Sequence, residues 1–170
     1  MREIILDVET TGLNTSENRI VEVAAIELIN GTPTGKAFQQ YFNPEMDMPD
    51  AARAVHGLTD EFLKDKPIFQ ERAAAVLEFI GDARIVAHNA TFDVDFINYE
   101  LNLIGIPALE NREIDTKAVA ALALQVPWQE ATLDKMCDHF GIDRSHRSHH
   151  GALVDCVLLA EVYAKLKEIK

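Results

Sequence analysis

The sequence is poor in cysteine and in long apolar runs, and each shortage excludes a class of protein. Two cysteines, Cys137 and Cys156, among 170 residues are too few for a disulfide framework. No apolar run approaches the roughly 20 residues of a membrane helix. Asp7 follows the first short apolar run at once, which is unlike a signal peptide. We therefore expect one domain over residues 1–170, in a reducing cytoplasm and without contact with a membrane.

Basic residues are also scarce. Lysine and arginine total 16 against 28 aspartates and glutamates, so the net charge is −12. This balance argues against a protein that grips nucleic acid through a broad basic face. It does permit a site made of carboxylates whose charge is offset by bound cations.

The hydrophobic pattern places strands first and then an alternation of helices and strands. Apolar runs predict strands over residues 3–8 and 19–29, and the turn-rich segment 30–35 predicts a reversal into a third strand near 36–42. Short β-branched runs predict further strands at residues 84–87 and 113–114. Helical patterns lie at residues 69–81, 91–105, 116–124, 131–140 and 151–168. An antiparallel meander followed by this alternation predicts an α/β fold, a mixed sheet flanked by helices.

Two acidic residues, Asp7 and Glu9, lie two positions apart on the first predicted strand. This spacing directs both side chains to the same face of the sheet. Adjacent carboxylates on a buried strand repel each other and lose solvation, and a cation removes both costs. The alternative is that the strand ends at Asp7 and that both acids are solvated loop residues.

Two further acids, Asp93 and Asp155, head the inward stripes of predicted helices. The positions 3, 4, 7, 8 and 11 residues after each of them are largely apolar. A carboxylate on such a stripe is costly unless it is paired or binds a metal. Asp95 heads a more polar face and is expected to be solvated, whereas Asp115 is placed to cap the N-terminus of a helix.

These four carboxylates would carry four negative charges, which two divalent cations would balance. Hard oxygen ligands favour Mg²⁺ or Mn²⁺ over zinc. Two such ions about 4 Å apart clamp the attacking and leaving oxygens of an in-line phosphoryl displacement. A nearby histidine suits the role of base toward water, because its pKa lies near neutrality.

The candidates for this base are crowded into the loop over residues 143–151. It holds His146, His149 and His150, and for the first two a solvated polar loop is the preferred interpretation. A zinc site is an alternative that no cysteine spacing supports. Arg144 and Arg147 add local positive charge that could hold a phosphate.

Together these motifs resemble the DEDDh exonuclease family. The segments that carry the resemblance are Asp7–Leu13, His88–Asp93 and His150–Asp155, and Val55–Thr59 is similar to a segment of the polymerase-associated members. The four segments occur in the family's order. They are spread along the sequence from residue 7 to residue 155, so the resemblance extends over nearly the whole chain. Within the family, the resemblance is strongest to the nuclease domain of the proofreading epsilon subunits of bacterial DNA polymerase III.

The resemblance implies a ribonuclease-H-like fold with a five-stranded mixed sheet. It also implies a 3′→5′ exonuclease that uses two Mg²⁺ or Mn²⁺ ions to release nucleoside 5′-monophosphates from DNA 3′ ends, as in replication proofreading. The family's spacing, with four residues between histidine and aspartate, selects His150 as the base. The implied metal ligands are Asp7, Glu9, Asp93 and Asp155. The implied substrate contacts are Thr10, Thr11, Gly12 and Leu13, with His56 and Phe92 in addition.

The substrate and the partners stay open at this point. An RNA-directed exonuclease of the same superfamily, oligoribonuclease-like or tRNA-trimming, would share the metal chemistry. A non-catalytic scaffold would be expected to lack one of the five site residues, and all five are present. Epsilon subunits usually continue into a tail that binds the polymerase and the sliding clamp, whereas this sequence stops at Lys170. Binding to the polymerase III alpha subunit is therefore left open beside a single-stranded DNA 3′ end.

Overall fold

A five-stranded mixed sheet organises the chain in a computed structural model that describes residues 1–169. The strands lie in the order β3-β2-β1-β4-β5. The first three are antiparallel, whereas β4 runs parallel to β1 and β5 parallel to β4. This arrangement confirms the predicted meander followed by parallel strands. The strands are β1 (Arg2–Thr10), β2 (Ile20–Ile29), β3 (Thr32–Tyr41), β4 (Arg84–Ala87) and β5 (Glu113–Asp115).

Helices cover both faces of this sheet. They are α1 (Asp50–His56), α2 (Asp60–Leu63), α3 (Phe69–Ile80), α4 (Ala90–Leu103), α5 (Thr116–Leu124), α6 (Leu133–Phe140) and α7 (Ala152–Glu168), with a short 3-10 turn at Trp128–Glu130. Within residues 1–169, none of these helices is long and apolar enough to cross a membrane.

The alternation of side chains along β1 supplies a core on each face of the sheet. Ile4 and Leu6 belong to the core that α3 and α4 cover, whereas Ile5 packs with Cys156 and Leu159 of α7. Because successive side chains of a strand point to opposite faces, the odd-numbered residues of β1 face α7. This alternation directs Asp7 and Glu9 toward the last helix.

The third strand begins earlier than predicted. It starts at Thr32, which pairs with Ile29 across the two-residue turn Asn30–Gly31. Both turn residues have positive φ, 53° and 82°, which is the geometry of a tight hairpin turn. The sequence prediction treated the whole turn-rich segment 30–35 as a loop and so placed the strand start about four residues late.

The short helices α1 and α2 are absent from the sequence prediction because each is too short to show an apolar period. α1 nevertheless ends in a defined way at Gly57, which has a φ of 73° and donates its N–H to the carbonyl of Arg53. This left-handed cap favours glycine, since other residues are strained there. The segment around this cap contacts two of the predicted motifs, as described below.

Candidate active site

Strand β1 continues through Asp7 and Glu9. Asp7 pairs with Ala24 and Glu9 with Glu22 of β2, and the register shifts only after Glu9. The Glu9 side chain is buried, at 9% exposure, and Asp7 is partly buried. The alternative of a strand that ends at Asp7 and leaves two solvated loop acids is therefore wrong.

The predicted helical acids lie in the first turns of α4 and α7. Asp93 and Asp155 are both buried, at 3% and 4% exposure. The Val8 N–H donates to Asp93 Oδ1 at 3.0 Å, so α4 is joined to β1 between the two strand acids. Asp95 is exposed, as its polar stripe predicted. Asp115 caps α5, as predicted, by accepting from backbone N–H groups of the first turn.

Burial raises the pKa values of three of the clustered carboxylates, and repulsion by neighbouring carboxylates adds to the effect. Burial raises the pKa of Asp7 well above its usual value, and the charges of Asp93, Glu9 and Asp155 raise it further. Burial likewise raises the pKa of Glu9 from 4.5 to about 8, with added repulsion from Asp155 and Glu22. Burial also raises the pKa of Asp93, against the lowering effect of the Val8 N–H. These three carboxylates therefore hold their protons tightly in the absence of a compensating cation.

The donor atoms of the cluster fit a hard divalent cation. Within residues 1–169, the carboxylates of Glu9 and Asp155 and the imidazole of His150 offer ligand atoms that all lie within 4.8 Å of one another. Asp155 Oδ1 is buried without a hydrogen-bond partner in the described chain. A buried carboxylate oxygen without a donor is costly, and a bound cation would satisfy it. The oxygen-rich donor set suits Mg²⁺ or Mn²⁺.

His150 lies two residues before the start of α7, at the edge of this cluster. Its Nδ1 is 3.1 Å from Asp155 Oδ2, and its ring is about half-exposed. The His150 backbone N–H donates to the Val55 carbonyl at 3.0 Å, so the end of α1 holds the histidine loop in place. His146 and His149 are exposed, in agreement with a solvated loop.

The two arginines of the loop contact carboxylates. Arg144 pairs with Asp138 at 3.0 Å, and Arg147 pairs with Asp155 at 2.6 Å and with Asp134. Their guanidinium groups therefore serve ion pairs within the protein, which the prediction of a phosphate site did not anticipate.

A cleft of about 530 Å³ opens beside the carboxylate cluster. Glu9 belongs to both the cluster and the cleft wall. Apolar side chains dominate the lining, and Leu13 is 86% exposed at the rim. All six predicted substrate residues line this one cleft: Thr10, Thr11, Gly12, Leu13, His56 and Phe92. The opposite wall comes from α1 and its approach, through Pro49, Ala51, Ala52 and Val55.

His56 uses both ring nitrogens inside the protein. Nδ1 accepts from the Leu58 N–H at 3.1 Å, which assigns the ring proton to Nε2, 3.3 Å from the Thr10 carbonyl. Burial lowers the pKa of His56, so the ring favours its neutral form. His56 lines the cleft but also holds Thr10 in place, and its contact with substrate stays a prediction.

Sequence reasoning missed Glu22, which supports the site from β2. Glu22 is 1% exposed, and its carboxylate accepts from the Ala152 N–H at 3.1 Å and from Gln39 Nε2 at 2.7 Å. The bond to Ala152 holds the N-terminus of α7, and hence Asp155, against the sheet. An acid inside the apolar run of β2 was the signal that could have found it.

Comparisons with known proteins agree on one family. The model of the family described as Exonuclease matches residues 4–163. The DNA polymerase III subunit epsilon of Rickettsia felis is 48% identical, over 98% of this chain and 74% of that protein. The subunit epsilon of Escherichia coli is 40% identical, over 95% and 70%.

Solved structures share the fold at low sequence identity. The nuclease domain of the exonuclease 3′hExo, a DEDDh family member bound to rAMP, has a TM-score of 0.83 at 20% identity, over 98% of this chain and 92% of that one. Exonuclease X in complex with 5′ overhanging duplex DNA has a TM-score of 0.76 at 24% identity, over 98% and 91%. These likenesses confirm the ribonuclease-H-like fold. On the family match and the close relatives, this chain belongs to the exonuclease family.

Proposed function

We propose that this chain is a metal-dependent 3′→5′ exonuclease that releases nucleoside 5′-monophosphates from DNA 3′ ends and proofreads during replication. The observation that carries the proposal is the position of Glu9, which lies in the carboxylate cluster and in the wall of the apolar cleft. A terminal nucleotide seated in the cleft would thus have its phosphodiester beside the cluster. Membership of the exonuclease family supports the same reaction.

Asp7, Glu9, Asp93 and Asp155 would hold two divalent cations, Mg²⁺ or Mn²⁺. When bound, the cations supply charge stabilisation for an in-line phosphoryl displacement. The raised pKa values of Asp7 and Asp93 and the unpartnered Oδ1 of Asp155 support this assignment, since a cation compensates each of them.

The remaining side chains bind the substrate and move a proton. Two side chains offer apolar surfaces to the terminal base, Phe92 and the exposed Leu13. The Phe92 ring packs on Phe96, with 4.9 Å between the ring centroids. His150 would take a proton from the attacking water at Nε2, with Nδ1 turned toward Asp155. A positioned general base of this kind contributes roughly 10²–10⁴-fold in rate.

The relatives favour DNA over RNA and suggest the partner. Proteins 40–48% identical to this chain are named DNA polymerase III subunit epsilon. We therefore infer that the chain acts on a frayed primer 3′ end beside the polymerase III alpha subunit. A cytoplasmic location stays a prediction.

The direct test is digestion of a 3′-mismatched DNA primer with Mg²⁺, with and without EDTA, beside a matched primer and an RNA strand of the same sequence. We expect mononucleotide 5′-monophosphate products, faster removal of the mismatched nucleotide, and no products in EDTA. Faster digestion of the RNA would replace the proofreading proposal with an RNA exonuclease. Turnover that is unaffected by EDTA would contradict the metal site.

A further inference from the structure

Arg147 is a buried cation that touches two of the proposed catalytic side chains. Its side chain is 5% exposed. Nη2 lies 2.6 Å from Asp155 Oδ2 and also contacts His150 Nδ1, while Nη1 pairs with Asp134 of α6. One planar guanidinium thus bridges α6 to the first turn of α7, at the edge of the carboxylate cluster.

The two oxygens of Asp155 lie in different environments. Oδ2 accepts a hydrogen bond from Arg147 Nη2 and lies 3.1 Å from His150 Nδ1. Oδ1 is buried and, within residues 1–169, has no hydrogen-bond partner. Because a buried carboxylate oxygen without a donor is costly, Oδ1 is the atom aimed at a ligand from outside the chain. Arg147 therefore bonds to Oδ2, and a cation bound by a single oxygen of Asp155 would use Oδ1.

We propose that Arg147 is a positioning residue for the metal site: its fork, anchored on Asp134, orients the Asp155 carboxylate so that Oδ1 faces the divalent cation. The inference rests on the metal site of the proposed function. Partners that orient metal ligands in this way typically contribute 10–100-fold in metal affinity.

Arg147 also has an effect on cation binding that opposes its orienting role, and an experiment can distinguish the two. The guanidinium carries a positive charge next to the cation site, and its charge already lowers the pKa of Glu9. Removal of that charge alone would tighten cation binding. Orientation and repulsion therefore predict opposite signs for the change in metal affinity when Arg147 is replaced.

The loop provides a matched control in Arg144. It also reaches Asp134, at 3.5 Å, and pairs with Asp138 at 3.0 Å, but its side chain is 36% exposed. Its hydrogen bonds go to the two carboxylate oxygens of Asp138, away from Asp155. Arg144→Met thus removes the same charge from the same loop without touching a proposed metal ligand.

The experiment measures the Mn²⁺ dissociation constant of metal-free protein by calorimetry. We expect Arg147→Met to weaken Mn²⁺ binding about 10–100-fold and Arg144→Met to leave it within about threefold, as for a charge at an exposed site. Arg147→Lys keeps the charge but cannot bridge both carboxylates, so it should stay weakened. Unchanged or tighter binding in Arg147→Met, or wild-type affinity in Arg147→Lys, would overturn the inference.

A double-mutant cycle keeps the test valid if Arg147→Met is less stable. Asp134 is partly exposed and lies outside the metal cluster. Asp134→Asn should weaken Mn²⁺ binding in the wild type and have no further effect in Arg147→Met, because the two act through one bridge. Additive losses would overturn the bridge. A wild-type protein that fails to bind Mn²⁺ would overturn the proposed function itself. An Mn²⁺ affinity that does not change when Arg147 is replaced would overturn this inference alone.

Discussion

Replacement of Glu9 by glutamine should stabilise the metal-free protein, and by more as the pH rises. Burial and three neighbouring carboxylates raise the pKa of Glu9 from 4.5 to about 8 in the folded state. Between these values the folded protein holds more protons than the unfolded chain. Stability is therefore fully present below about pH 4.5 and falls as the pH rises toward 8. Glutamine mimics the protonated side chain at every pH and escapes this loss.

The size of the effect follows from the same two pKa values. Each pH unit well inside this range costs about 1.4 kcal/mol. Because the difference in bound protons is incomplete near both ends of the range, the advantage of Glu9→Gln should grow by roughly 3 kcal/mol between pH 5 and pH 8. For a chain of this length, 1 kcal/mol corresponds to roughly 2–4 °C in Tm. The Tm difference should then widen by roughly 6–12 °C over this range.

The assay is thermal unfolding in EDTA at pH 5, 6, 7 and 8, followed by far-UV circular dichroism. Glu78→Gln is the control, because Glu78 is exposed on α3, away from the cluster. In saturating Mg²⁺ the advantage should shrink or reverse, since the cation stabilises only the protein that has all its ligands. A Glu9→Gln advantage that is independent of pH, or equal to that of Glu78→Gln, would refute the reasoning.

Two matched pairs of variants test the assignment of individual residues. Asp93→Asn should lower kcat by orders of magnitude, because Asp93 is buried in the cluster. Asp95 is exposed, so Asp95→Asn should leave kcat nearly unchanged. Equal losses of kcat in a primer-digestion assay would place Asp93 outside the site. His150→Ala should lose at least about 100-fold in kcat, the low end for a general base, and His149→Ala should stay within a few-fold. An inactive His149→Ala variant together with an active His150→Ala variant would show that the general base is His149 rather than His150.

The positions of the acids could be predicted because they depend on local periodicity. The period of two placed Asp7 and Glu9 on one face of β1, and the helical stripe separated buried Asp93 from exposed Asp95. The stripe of α7 likewise placed Asp155 inward. In each case the side chain's direction follows from its own strand or helix, which is information that a single sequence carries.

The supporting contacts could not be predicted because they join segments far apart in the chain. The bond from the His150 N–H to Val55 and the bond from Ala152 to Glu22 depend on how α1, α7 and β2 pack. The pairing of Arg147 with Asp155 depends on a loop conformation that no periodic pattern describes. The roles of the site residues in binding and catalysis stay predictions for the variants above.

Asp7→Ala tests the central claim most directly. Asp7 lies among the other three acids, whose charges all raise its pKa, so its removal should empty the metal site while relieving repulsion. The measurement is the release of nucleoside 5′-monophosphates from a 3′-mismatched primer in Mg²⁺, beside a thermal unfolding curve in EDTA. We predict a folded Asp7→Ala protein, at least as stable as the wild type in EDTA, that releases no mononucleotides. An Asp7→Ala enzyme that still digests the primer would contradict it.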